Sequence, residues 1–236
     1  MSISQKYGRT LHFPFSPGTT SDDRINYNYW QDISRINTVI HTEKLDGENN
    51  CLSRYGVFAR SHVAPTTSPW TANLREKWQH IRRDLGEYEL FLENVYAIHS
   101  IRYCQLPSHY FVFAVREGQR WLSWEETTFL AAFFDFPIVP VIRTINGIPS
   151  RETFESDFLA LVKQPGMYHT QDNVSGQQCS MEGIVTRNIN EYGVAEFQQN
   201  VFKYVRAGHV KTDEHWTKNW KRAPLKHESN VDDKRK

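Results

Sequence analysis

The 236-residue chain is poor in cysteine, in excess charge and in long apolar runs. Its three cysteines, Cys51, Cys104 and Cys179, are scattered and odd in number, which argues against a disulfide framework and fits reduced thiols in a cytoplasmic setting. No apolar run is long enough to span a bilayer, and the N-terminus lacks a signal-peptide core. The net charge is +1, so any surface for nucleic acid must be a local basic patch. The chain has no Gly-x-x-x-x-Gly-Lys-Ser/Thr and no Gly-x-Gly-x-x-Gly, which disfavours phosphate-loop and dinucleotide-binding folds. It has no Gly-x-Ser-x-Gly elbow of a serine hydrolase and no histidine spacing for structural zinc. Internal repeats and low-complexity tracts are absent too.

What is there suffices for a packed core: 39% of residues are hydrophobic and 23% charged, within one large domain or two small ones. Strands are expected at 39–42, 88–97, 110–115, 138–142, 181–187, 192–197 and 201–206, and a hairpin over 51–61. Helices are expected over 66–85, from the capping box Ser123-Trp124-Glu125-Glu126, over 150–163, and briefly from Thr212 to Trp220. Residues 171–180 read as a loop, and the tail from Lys221 as charged and disordered. On the 66–85 helix, Arg75, Lys77, Arg82 and Arg83 read as a solvated face before a phosphate-facing one. The class is α+β, with antiparallel sheets flanked by helices.

The chain is organised around Thr42-Glu43-Lys44-Leu45-Asp46-Gly47, a lysine between two acids followed by a glycine turn. A lysine amine is a nucleophile only without its proton, a form favoured by burial and by nearby cations. Gly47 would let backbone come close to a ligand. The four residues Lys44-Leu45-Asp46-Gly47 alone are a weak signal, and taken singly Glu93 reads as a strand-end charge, Glu182 as turn chemistry, and Phe111 or Phe113 as core. Lys203, inside an aromatic strand, is the hardest to explain structurally, because an unpaired buried ammonium is costly.

Together, Lys44-Leu45-Asp46-Gly47, Phe58-Ala59-Arg60-Ser61, Glu93-Asn94-Val95-Tyr96, Phe111-Val112-Phe113-Ala114-Val115, Glu182-Gly183-Ile184-Val185 and Phe202-Lys203-Tyr204 resemble, in order and spacing, the covalent nucleotidyltransferase superfamily of ATP-dependent ligases and capping enzymes. Thr42-Glu43-Lys44 and the Glu182 to Arg187 run are most similar to its RNA ligases, in the RNA ligase 2-like branch. The resemblance implies an adenylation domain over residues 1–206, followed by a short helix and tail over 207–236. It implies that Lys44 attacks the ATP α-phosphate and carries AMP. Glu43 would contact adenine through its backbone, Arg60 would lie near the ribose and incoming phosphate, and Glu93 would bind the ribose hydroxyls. Phe113, ahead of Phe111, would stack on adenine; Glu182 would sit by a magnesium or manganese ion, and Lys203 on the α-phosphate. The implied partner is nucleic acid, RNA before DNA, in a monomeric protein with a role in RNA repair beside an end-processing kinase or phosphatase.

The chain departs from that pattern in two places. Many relatives carry Lys-x-Lys in the last motif, whereas Val205 and Arg206 follow Lys203-Tyr204 here, and strand alternation points Arg206 to the other face. About 30 residues follow Lys203, too few for an appended OB-fold domain. Three alternatives stay open: a DNA ligase of the same superfamily, an RNA capping guanylyltransferase using GTP, and a non-catalytic nucleic-acid-binding module.

Overall fold

The computed structural model describes residues 5–19, 23–208 and 216–228. The elements begin with β1 (Leu11–His12), α1 (Tyr29–Ile33), β2 (Thr38–Lys44), β3 (Glu48–Ser53), β4 (Gly56–Ala59) and α2 (Ala72–Ile81). They continue with β5 (Tyr88–Asn94), β6 (Ile101–Tyr103), β7 (Tyr110–Glu117), β8 (Arg120–Trp121), α3 (Trp124–Phe133), β9 (Val141–Asn146) and α4 (Arg151–Leu161). The last are β10 (Thr170–Asp172), β11 (Gly183–Asn188), β12 (Tyr192–Gly193), α5 (Phe197–Asn200) and β13 (Val201–Val205).

Two sheets dominate, one ordered β1-β13-β11-β2-β9 and one ordered β12-β8-β7-β5-β3-β4. All pairings in them are antiparallel except β1 with β13. Period-two alternation sorts each strand's side chains between layers. On β5, Leu90 and Leu92 join an outer cluster with Leu74 of α2 and Leu130 of α3, while Phe91 turns inward. On β13, Phe202 and Tyr204 join Phe154 and Phe158 of α4 in the other outer cluster, while Val201 turns inward. The central cluster takes Phe91, Phe111 and Phe113 from one sheet and Val185 and Val201 from the other. The result is two sheets face to face with helices outside each, the layering expected for this α+β pattern. Among the described residues no helix is long and apolar enough to cross a membrane.

Several elements differ from expectation. The strand expected at 192–197 is only Tyr192–Gly193; a 3-10 turn at Val194–Glu196 and α5 replace the rest, and Phe197 becomes core. The strand expected at 138–142 begins later, as Val141–Asn146, because Pro140 precedes it and its carbonyl accepts from Glu43. The helix expected over 66–85 is a 3-10 turn, Pro69–Thr71, then Ala72–Ile81. Its basic residues serve the scaffold: Arg75 bonds the Ser68 carbonyl, Lys77 pairs with Asp135, and Arg82 lies over Trp78. Within the expected 171–180 loop, Thr170–Asp172 pairs with β6.

The segment from Lys221, read as disordered, is packed as far as Glu228. Ala223 is buried, its N–H donates to Tyr96, and its carbonyl meets His109 Nε2 at 2.9 Å. Charge alone misleads here, because Ala223 and Leu225 supply apolar anchors between the charges. Residues 212–215 of the short helix expected from Thr212, and the tail beyond 228, lie outside the described residues.

Candidate active site

Lys44 is the last residue of β2, where the strand runs out against β11 with Lys44 opposite Gly183. The register demands glycine there: a Cβ on Gly183 would lie 1.9 Å from the Tyr204 carbonyl oxygen of β13. Gly47 is needed for a similar reason, since its Cβ would sit 2.4 Å from the Asn94 carbonyl oxygen. The Gly47 turn thus packs against protein backbone, where the sequence reading reserved that closeness for a ligand. The turn is fastened at both ends. Asp46 accepts from the Ser100 and Ile101 amides at 2.8 Å each, and the Gly47 N–H donates to Glu93 Oε1 at 3.0 Å. Asp46, and Glu93 in part, therefore spend their oxygens on holding the lysine loop.

Beside this loop lies a cavity of about 270 Å³ between the sheets. Lys44, Glu43, Arg60, Glu93, Phe113 and Lys203 all line it, although they come from five separate strands or strand ends. Glu182 does not line it. Only 4% exposed, it sits behind Lys44 with both carboxylate oxygens on the lysine Nζ, at 2.7 and 2.8 Å. Phe111 is fully buried against Tyr168, so of the two phenylalanines Phe113 is the one facing the cavity. Arg206 is not on the cavity wall, as strand alternation requires.

The charge balance of Lys44 overturns one sequence expectation, that its amine is kept neutral. Burial pulls its pKa down, but Glu182, Glu93 and Asp46 outweigh that and lift it to about 12. The expectation weighed burial and nearby cations and missed that three acids crowd the loop. Lys203 goes the other way: burial, Lys44 and Arg60 lower it, and the Asp23 carboxylate at 3.0 Å restores only part. Burial raises Glu93 to about 8 and Glu182 to about 7, in each case against the pull of Lys44. Glu43 is raised to about 7 by burial, and its Oε2 accepts from the Met167 N–H at 2.8 Å.

Sequence reasoning missed Tyr7, Thr10 and Arg187 on the wall. Arg187 is buried, donates to the Phe113 carbonyl and, at 3.4 Å, to Thr42 Oγ1, and lies over the rings of Phe113 and Trp124. It carried little signal in the sequence, because Thr186 and Asn188 flank it at the polar end of β11. Tyr7 and Thr10 carried none, because an N-terminal segment without periodicity gives no hint of where it docks.

A cavity walled by two lysines and two arginines, with an aromatic face and three glutamates, is shaped for a base joined to phosphates. The model of the RNA ligase family matches residues 37–205. The chain belongs to the RNA ligase family. Among solved structures it is similar to a mutant of the RNA ligase of Naegleria gruberi with ATP and Mn, at TM-score 0.53 and 18% identity, over 86% of this chain and 61% of that one. An archaeal ATP-dependent RNA ligase gives TM-score 0.54 and 14% identity over 86% and 48% of the two chains. A putative ATP-dependent DNA ligase from Aquifex aeolicus gives 0.50 and 15% over 85% and 50%. At such identities these likenesses speak for the fold of this RNA ligase family member, which spans about half to three-fifths of those chains. No curated protein matches it.

Proposed function

We propose that this chain is the adenylating unit of an ATP-dependent RNA ligase, which joins 3′-hydroxyl and 5′-phosphate ends through a lysine–AMP intermediate. The observation that carries this reading is Lys44 Nζ on the wall of a nucleotide-sized cavity, hydrogen-bonded to Glu182 behind it and with Lys203 on the same wall. Membership of the RNA ligase family supports it, as does the solved relative containing ATP and Mn.

In this reading Lys44 Nζ forms a bond to the α-phosphorus while the α–β bridging bond breaks and pyrophosphate leaves. Glu182 Oε1, at 2.7 Å, is the nearest acceptor for the proton Nζ must lose. Lys203 and Arg60 neutralise the phosphate oxygens. Phe113 offers a ring face to the base and Glu93 a carboxylate to the ribose hydroxyls, while the main chain of Glu43 contacts the adenine edge. AMP then passes to a 5′-phosphate, and a 3′-hydroxyl displaces it.

Magnesium and manganese are hard cations that keep waters and need few protein carboxylates beside substrate phosphates. Among the described residues no group of three or more acids, histidines or cysteines is placed to hold a metal alone. Glu182 would supply one such carboxylate only once its pair with Lys44 opens, because both its oxygens are on the lysine Nζ. Such an ion, when bound, supplies positive charge against the triphosphate.

Incubation with α-labelled ATP and magnesium or manganese, followed by denaturing electrophoresis, tests the proposal. A labelled protein band with ATP that Lys44→Ala abolishes is the expected result. A band with GTP alone would make the chain a capping guanylyltransferase, and no band with either would leave a nucleic-acid-binding module. Sealing of matched RNA and DNA nicks then separates RNA ligase from DNA ligase.

A further inference from the structure

Asp23 lies far from every residue set that marks the nucleotide site, in the segment between β1 and α1. It nevertheless reaches the cavity wall. Its Oδ1 accepts from Lys203 Nζ at 3.0 Å, and His12 Nε2 stands 3.0 Å from the same oxygen. Behind His12 the chain of contacts continues: Nδ1 meets Ser16 Oγ at 2.8 Å, and that hydroxyl accepts from the Val205 N–H at 2.9 Å. β1 pairs in parallel with β13, placing His12 directly beside Lys203. The N-terminal segment thus delivers a carboxylate and a buried imidazole to the one lysine of this cavity that the other acids do not hold.

We propose that Asp23, braced by His12 and Ser16, is the positioning residue for Lys203: it holds the ammonium against the cavity wall and yields it to the α-phosphate when nucleotide binds. This rests on the role given to Lys203 above. An acid pointing at a phosphate-binding lysine competes with phosphate, so it would be a poor choice if nothing were gained. The gain is that Lys203 stays charged. The groups facing its amine are Asp23 from the segment after β1, His12 of β1, Lys44 of β2, Arg60 after β4, and Glu182, whose carboxyl Lys203 also influences from behind Lys44. Two of these are cations, and burial adds to their effect by disfavouring a further positive charge. Asp23 is the acid that counters them, and it is a quarter exposed, so the pair can open without moving the core. His12 is 1% exposed and its pKa is lowered by burial and by Lys203, so near neutrality it is an uncharged brace and not a rival cation.

The test uses the full chain with Asp23→Asn, which keeps size and shape. The side-chain amine of Lys203 is followed by nuclear magnetic resonance against pH, and the alkaline limb of Lys44 adenylation is recorded alongside. The amine midpoint and the alkaline limb should both move down by about one pH unit in Asp23→Asn. At pH 7, where Lys203 is still charged and has lost its competitor, KM for ATP should fall about threefold or more. Asp23→Glu should restore the midpoint, and His12→Asn should loosen Asp23 and shift it in the same direction by less. An unmoved midpoint and limb in Asp23→Asn would overturn the inference while leaving the ligase reading intact. If Lys203→Ala itself adenylates normally, the role assigned to Lys203 fails, and this inference with it.

Discussion

Two lysines share one cavity and are shifted in opposite directions. Lys44 is gripped by an acid that is almost wholly buried, with two more acids near it, and its pKa rises to about 12. Lys203 has one partly exposed acid and two neighbouring cations, and its pKa falls. The residue type is the same and the burial similar, so the difference lies in the count of neighbouring charges. It also divides the labour. A lysine held in a tight buried pair is inert until the pair is broken, which suits the nucleophile proposed for this position. A lysine held loosely can exchange its partner for a phosphate.

The largest effect should come from removing the gripped lysine. Lys44→Ala should reduce the labelled protein–AMP band at least about a thousandfold, since the proposal makes its amine the group that bonds AMP. Lys203→Ala should cost less, about a hundredfold, because it removes charge stabilisation and leaves the nucleophile. Equal losses from both, measured as initial rates of adenylation, would erase the contrast.

Glu182→Gln breaks the pair while preserving its shape. The largest influence raising Lys44 disappears, so its pKa should fall, and the amine should acylate faster with a neutral amine-directed reagent at pH 8. Adenylation should nevertheless drop about a hundredfold, because the proton acceptor and metal ligand proposed for Glu182 are gone. Unchanged acylation would mean that Glu93 and Asp46 alone hold Lys44 charged.

Much of this was legible in the sequence. Lys203 interrupts an aromatic strand and survives as a signal by itself, whereas Lys44 and Glu182 were legible through the order and spacing of the motifs that resemble the family. The layered fold was legible too, because a short run that is apolar on both faces, such as Leu90-Phe91-Leu92, suits a strand between two packed layers. Illegible were the features that depend on which segments meet. Asp23, Tyr7 and Thr10 sit in aperiodic chain, and nothing local says that β1 will dock parallel to β13. The sign of the Lys44 shift was misread for the same reason: Glu93 is 49 positions away, so its weight could not be judged before the sheets were assembled.

A smaller effect separates cavity acids that serve chemistry from one that serves the fold. Burial lifts Glu43 from an ordinary 4.5 to about 7, so its contribution to stability is full below pH 4.5 and is lost as pH rises through 7. Glu43→Gln removes that dependence. The difference in unfolding free energy between pH 4.5 and pH 8, from denaturant titration, should shrink by on the order of 2 kcal/mol relative to the parent chain. Glu182→Gln should change the same difference differently, because Glu182 carries a lysine and Glu43 an amide.

The smallest effect asks whether the contrast between the lysines reflects chemistry or mere membership of the cavity wall. Phe111 and Phe113 lie two residues apart on β7, both turned inward, yet only Phe113 reaches the cavity. Base–aromatic stacking is worth about 1–3 kcal/mol, so Phe113→Leu should raise KM for ATP roughly tenfold with little change in kcat. Phe111→Leu should do the reverse of this pattern, lowering Tm through lost packing against Tyr168 and leaving KM alone. If both variants raise KM alike, residues near the cavity affect binding without specific contact, and the unequal losses expected from the two lysines would no longer report their separate roles.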